Sequence, residues 1–117
     1  MSSSLELARG LLGHVVAVKI DRPMGSRHPI HGYLYLVNYG YVPGVIAPDG
    51  EELDAYLLGV DQPVECAEGV VVAVMHRRDD DDDKLVVVPE GVTLNDAAIV
   101  AAVNFQEQFF ASELLRC

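Results

Sequence analysis

The chain has 117 residues, half of them hydrophobic, and carries 18 acidic against 8 basic side chains for a formal charge of −10. This length sets a single domain spanning 1–117, and the acidic surface excludes sequence-independent binding of nucleic acid, whose phosphates need a basic face. No apolar run approaches the roughly 20 residues that cross a bilayer, so neither a membrane partner nor a signal peptide is expected.

The predicted elements alternate between short strands and turns, with a helix at each end. Residues 3–12 carry Leu5, Ala8 and Leu12 on one helical face. His14–Ile20 reads as a strand, and Asp21–Pro29 as a loop because of its Pro and Gly content. Gly32–Val37 alternates in strand fashion, placing Tyr33 and Tyr35 opposite Leu34 and Leu36. Asn38–Gly44 is a turn leading into an extended segment. Leu53–Leu58, Val64–Cys66, Gly69–His76 and Leu85–Val88 are further strands. A terminal helix is expected from Asn95 to Leu115, capped by Asn95-Asp96 and striped by Ile99, Val100, Val103, Phe110 and Leu114. The resulting fold class is α+β, mainly β: a small OB-like five-stranded barrel with a C-terminal helix.

A chain this short buries only about two-thirds of its surface, so part of the apolar excess is assigned to a homo-oligomer interface. Cys66 and Cys117 make no disulfide framework. They read as a small buried hydrophobe and an incidental terminal thiol, in keeping with a reducing cytoplasm.

Chemistry concentrates in two acidic clusters, Asp49-Gly50-Glu51-Glu52-Leu53-Asp54 and Asp79–Asp83 followed by Lys84, each beside a predicted strand. A run of aspartates alone is usually a solvated loop. Two such clusters that meet repel each other unless cations lie between them, and oxygen ligands without a His/Cys set favour Mg²⁺, Mn²⁺ or Ca²⁺.

In order, Arg27, Tyr35, Asn38-Tyr39-Gly40-Tyr41-Val42-Pro43-Gly44, Asp49–Asp54 and the Asp79–Lys84 loop resemble the soluble family I inorganic pyrophosphatases. The resemblance implies an OB-like barrel holding Mg²⁺, with Mn²⁺ as a second choice, that hydrolyses inorganic pyrophosphate to two phosphates by a metal-activated water. It assigns metal binding to Asp49, Asp54, Asp79 and one of Asp82 or Asp83, and catalysis to Glu51 as base with Asp54. Arg27, Tyr39 and Lys84 fall on substrate-binding positions, Tyr35 on an orienting one, and Asp21 on a further acidic one.

Departures accompany the resemblance. Glu51 stands where the family has Asp, the segment before Arg27 is short and lacks a Lys and a Glu, and the acidic loop looks about two residues shorter. Phe109-Phe110 occupies the place of a phosphate-binding Tyr-Lys pair. Arg22, His28 and His76-Arg77-Arg78 are the available replacements. The alternative is a catalytically weak module of the same fold that binds metal and a phosphate or nucleotide ligand.

Overall fold

The computed structural model describes residues 3–78 and 82–116. Five strands close a barrel: β1 (Val15–Arg22), β2 (Asn38–Ile46), β3 (Glu52–Leu57), β4 (Cys66–Arg77) and β5 (Lys84–Val88), in the order β1-β2-β3-β5-β4 with β4 returning to β1. Every pairing is antiparallel except β3 with β5. Helix α1 (Ser3–Gly10) precedes the barrel, and α2 (Asp96–Glu107) and a short β6 (Ser112–Leu115) follow it.

Strand alternation sorts the apolar residues into two layers. Val16, Val18, Ile20, Leu53, Ala55, Leu57, Val71, Leu85 and Val87 point inward with Ala8 of α1 packed against them. Tyr39, Tyr56, Met75, Val86 and Val88 form the opposite face, covered by Ile99 and Val103 of α2. This is why Leu85–Val88 reads as an unbroken apolar run: β5 is buried on both faces. No described helix is long and apolar enough to cross a membrane.

Several boundaries differ from the sequence reading, each for a local reason. The terminal helix stops at Glu107, not Leu115, and residues 112–115 form β6, antiparallel to the end of β4. Ser112 Oγ donates to Glu107 Oε1 at 2.6 Å, so the chain turns back where the helix was expected to continue. Of the strands inferred at Val64–Cys66 and Gly69–His76, only Cys66 of the first is strand: β4 runs unbroken from Cys66 through residues 67 and 68 to Arg77. Gly69 within it is required by packing, since a Cβ there would lie 2.4 Å from the Val88 carbonyl oxygen.

Asn38–Gly44 belongs to β2 rather than to a turn, and Gly32–Val37 forms only an isolated bridge between Leu34 and Arg27. The side-chain alternation in that segment is nonetheless present, with Tyr35 buried and Leu34 and Leu36 exposed. Cys66 is exposed at the start of β4 instead of buried, and Cys117 lies outside the described residues.

β1 continues past its expected end to Arg22 through a bulge: Ile20 faces Gly40 and Arg22 faces Tyr39, leaving Asp21 as the extra residue. A bulge re-aims side chains at a strand end, and here both Asp21 and Arg22 turn to one cleft. The facing strand needs a glycine. A Cβ on Gly40 would lie 1.8 Å from the Lys19 carbonyl oxygen. Replacing Gly40 by Ala should therefore destabilise the fold by roughly 2–4 kcal/mol, read as a lowered urea midpoint at unchanged slope; an unchanged midpoint would refute the close-approach argument.

Candidate active site

The two acidic clusters converge. β3 carries Asp54 and the chain entering β5 carries Asp82, and the Lys84 ammonium bridges them, 2.6 Å from Asp54 Oδ2 and 2.7 Å from Asp82 Oδ1. Tyr39 of β2 donates its hydroxyl to the same Asp54 oxygen at 3.0 Å. Burial, and then the charge of Asp54, hold the Tyr39 phenol well above its usual range, so it stays a neutral donor. Lys84 is almost fully buried, whereas Asp54 and Asp82 remain open to solvent.

Two adjoining clefts share Asp21, Asp54 and Asp82 as their common wall. The smaller, about 410 Å³, is acidic and adds Asp49, Glu51 and Glu52. The Asp49–Asp54 turn is locally determined: Glu51 N–H donates to Asp49 Oδ1 at 2.9 Å, and Gly50 takes φ +87°. The larger cleft, about 690 Å³, holds the cations Arg22, Arg77 and Lys84, together with His28, His31, Phe109 and Phe110 among its walls.

Of the residues singled out in the sequence, Asp49, Glu51, Asp54, Tyr39, Asp82 and Lys84 thus face this double cleft. Asp83 borders the acidic chamber, but its side chain is inaccessible and engaged elsewhere. It accepts from Ser4 Oγ at 2.6 Å and from Arg77 N–H at 3.0 Å, and lies 2.7 Å from His76 Nδ1. Asp83 ties the acidic loop to α1 and β4, and Asp82 is the one of the pair turned to the cleft. Asp79 lies outside the described residues. Arg27 does not line either cleft; it is exposed and donates to the Gly32 carbonyl at 2.9 Å.

Arg22 lines the cleft instead, from the β1 bulge, with one N–H given to Tyr35 Oη at 2.7 Å. Arg22 is among the replacement ligands named from the sequence; the Pro23–Gly25 turn signal draws the strand end too early and places it in a loop rather than on β1.

Behind the site runs a buried network. Arg77 donates to Glu107 through Nη2 at 2.9 Å and Nε at 3.3 Å, and to Asp82 through Nη1 at 3.2 Å. Its guanidinium lies 3.6 Å from the Phe110 ring centroid. Tyr56 also donates to Glu107, and Gln106 connects Tyr56 to Tyr33 and Tyr35. Burial alone would raise the Glu107 carboxyl, but hydrogen bonds from Arg77, Ser112 and Tyr56, with the Arg77 charge, outweigh it and hold it below 4.5. The Tyr56 phenol is pushed well up by burial and by Glu107.

Mg²⁺ suits the donors present. They are carboxylate oxygens, and the bridging Lys84 ammonium marks a position where Asp54 and Asp82 accept a cation. Among the described residues no three potential ligands already converge on one point. Mg²⁺ requires no such cage, since it keeps several waters and uses one or two carboxylates with substrate phosphates.

The sequence profile of the inorganic pyrophosphatases matches residues 14–111, and the chain belongs to that family. Its fold resembles the solved inorganic pyrophosphatases of Ehrlichia chaffeensis, at TM-score 0.67 and 18% identity over 85% of this chain and 83% of that one. The Neisseria gonorrhoeae enzyme gives TM-score 0.64 at 23% identity, covering 89% and 83%, and that of Thermus thermophilus 0.62 at 18%, covering 86% and 79%. No individually curated sequence matches.

Because the Glu107 carboxyl titrates below its unfolded value, its ion pair contributes stability above about pH 4.5 and loses it as pH falls through the lower folded value. Glu107→Gln should cost about 3 kcal/mol at pH 7 by leaving Arg77 underpaired. Its thermal midpoint should converge on that of the unsubstituted protein as the pH is lowered below 4.5; a gap that stays constant with pH would remove the linkage.

Proposed function

We propose that this chain hydrolyses inorganic pyrophosphate to two phosphates in a Mg²⁺-dependent reaction, with Mn²⁺ as a substitute. Membership of the family supports the reaction class. The observation that carries the residue assignment is the Lys84 bridge between Asp54 and Asp82, at the seam of an acidic and a basic chamber.

In this reading the acidic chamber is the cation side. Asp49, Asp54 and Asp82 would hold Mg²⁺, with Asp79 of the same loop as a further ligand. Asp83 supports that loop from behind. When bound, Mg²⁺ supplies charge neutralisation at the phosphoryl oxygens and a lowered pKa for coordinated water. Glu51 accepts the proton of the attacking water; it stands on the exposed turn beside Asp49, where its longer side chain has room to adjust. Lys84 and Arg22 bind phosphoryl oxygens from the basic chamber and balance charge that grows on the bridging oxygen as it leaves. Tyr39 orients Asp54, and Arg77, fixed by Glu107, orients Asp82.

A homo-oligomer belongs to the same reading, supported by Val15, Ile30 and Leu36, each more than half exposed. The second reading, a module that binds phosphate without turnover, is favoured by one observation: Phe109 and Phe110 on the basic chamber's wall cannot donate a hydrogen bond.

Phosphate release from pyrophosphate should require Mg²⁺, cease with EDTA, and fall more than roughly a hundredfold in Asp54→Asn with the circular dichroism spectrum unchanged. Folded protein that binds pyrophosphate calorimetrically but releases no phosphate with Mg²⁺ or Mn²⁺ across pH would select the second reading. Arg22→Ala should raise KM about tenfold, on the order of one lost charged hydrogen bond; an unchanged KM would return the phosphate contact to Arg27.

A further inference from the structure

The basic chamber has features that inorganic pyrophosphate does not use. Its volume of about 690 Å³ lies in the range of clefts that enclose whole organic ligands, while pyrophosphate is a small ion with no apolar face. One wall is aromatic. His28 packs on His31 with ring centroids 4.8 Å apart and on Tyr33 at 4.9 Å, and Tyr33 continues to Phe109 at 5.7 Å. Phe110 adjoins, resting on the Arg77 guanidinium.

Phe109 is 63% exposed and Phe110 39%, both beside a cleft floored by Arg22 and Lys84. Phe110 is engaged on the Arg77 guanidinium, whereas the solvated Phe109 ring offers phosphate oxygens no hydrogen bond. The His28 ring is fixed, since Nδ1 accepts the backbone N–H groups of Ile30 and His31, each at 3.1 Å. Burial, then the neighbouring Arg22 and His31, lower its pKa. Aromatic faces next to cations are the complement of a flat heterocycle that carries a diphosphate.

We infer that the basic chamber takes a nucleoside diphosphate, its base against the His28–His31–Tyr33–Phe109 wall and its diphosphate toward Arg22 and Lys84. This rests on the proposed phosphoanhydride hydrolysis at the same site and names its substrate class. The reaction keeps the same balance. The oxygen of water bonds to the terminal phosphorus, and that phosphorus parts from the bridging oxygen. The bridging oxygen departs with its electron pair on the nucleoside monophosphate, and the water proton passes to Glu51 and then to solvent. The acidic chamber is left for the cation, and the loss of hydrogen-bond donors at Phe109 and Phe110 becomes a gain of stacking surface.

The test is calorimetric titration of the full chain, with Mg²⁺ present, by α,β-methylene-ADP and by methylenediphosphonate, which share a non-hydrolysable diphosphate and differ in the nucleoside. The nucleotide analogue should bind at least roughly tenfold more tightly, the worth of one stacked base. Phe109→Ala should erase most of that ratio, and His31→Ala should reduce it, each in protein whose thermal midpoint shows it folded. Equal affinities, or a ratio that neither substitution changes, would overturn the nucleotide assignment while leaving pyrophosphate hydrolysis intact. Failure of both analogues to bind, with no phosphate released from pyrophosphate, would overturn both.

Discussion

The architecture of the cleft depends on one buried ammonium. Without Lys84 between them, the carboxylates of Asp54 and Asp82 would face each other across a seam already crowded by Asp21, Asp49 and Glu51. A cation with almost no exposure is stabilised only when its charge is matched and its protons are used. Lys84 meets that condition with two carboxylates at short range, and the parallel pairing of β5 with β3 fixes its position. The lysine therefore couples barrel closure to site geometry: the register that sets Leu85 opposite Ala55 also brings the Lys84 ammonium to Asp54.

The cations Arg22, Arg77 and Lys84 line only the larger of the two clefts, where Lys84 and Arg77 pair with Asp54 and Asp82 of the shared wall, while the smaller cleft is lined by carboxylates without a cation among the described residues. Such a division suits a ligand that is itself a polyanion accompanied by divalent cations, since each component then meets a field of opposite sign. The Arg77–Glu107 pair extends this order into the layer beneath α2. It also explains why a charged arginine and a glutamate tolerate burial: three hydrogen bonds and an aromatic face surround the guanidinium, and Tyr56, Ser112 and Arg77 surround the carboxylate.

Much of this was readable in the residues. The barrel and the terminal helix start at Asn95 follow from patterns that are local along the chain, and the family resemblance implies a site combining Asp54, Tyr39, Lys84 and either Asp82 or Asp83. What escaped the reading depends on tertiary contact. Apolar residues at helical spacing continue through Phe110 and Leu114, and only the edge of β4 decides that residues 112–115 pair as a strand. Ala67-Glu68 reads as a gap between two strands because the pairing of those residues with Val18 and Ala17 of β1 is invisible in one dimension. Arg22, named as a replacement ligand, is placed in a loop by a turn signal three residues long, when a single bulge carries the strand through it. The choice between Asp82 and Asp83 turns on which of two adjacent aspartates finds Ser4, a partner 79 positions away.

The twelve-residue strand β4 pairs with β1, β5 and β6 in turn. Its contact with β1 joins Val15 to Val70, so the seam of the cylinder can form only after a long stretch of intervening chain has been ordered. Loop-closure entropy is then spent before most of the native pairing repays it, which places this topology among the slower folders for its size. The β2–β3 and β4–β5 ladders join nearby stretches of chain, whereas the β1–β4 pairing closes the longest loop of the cylinder and carries the largest closure entropy.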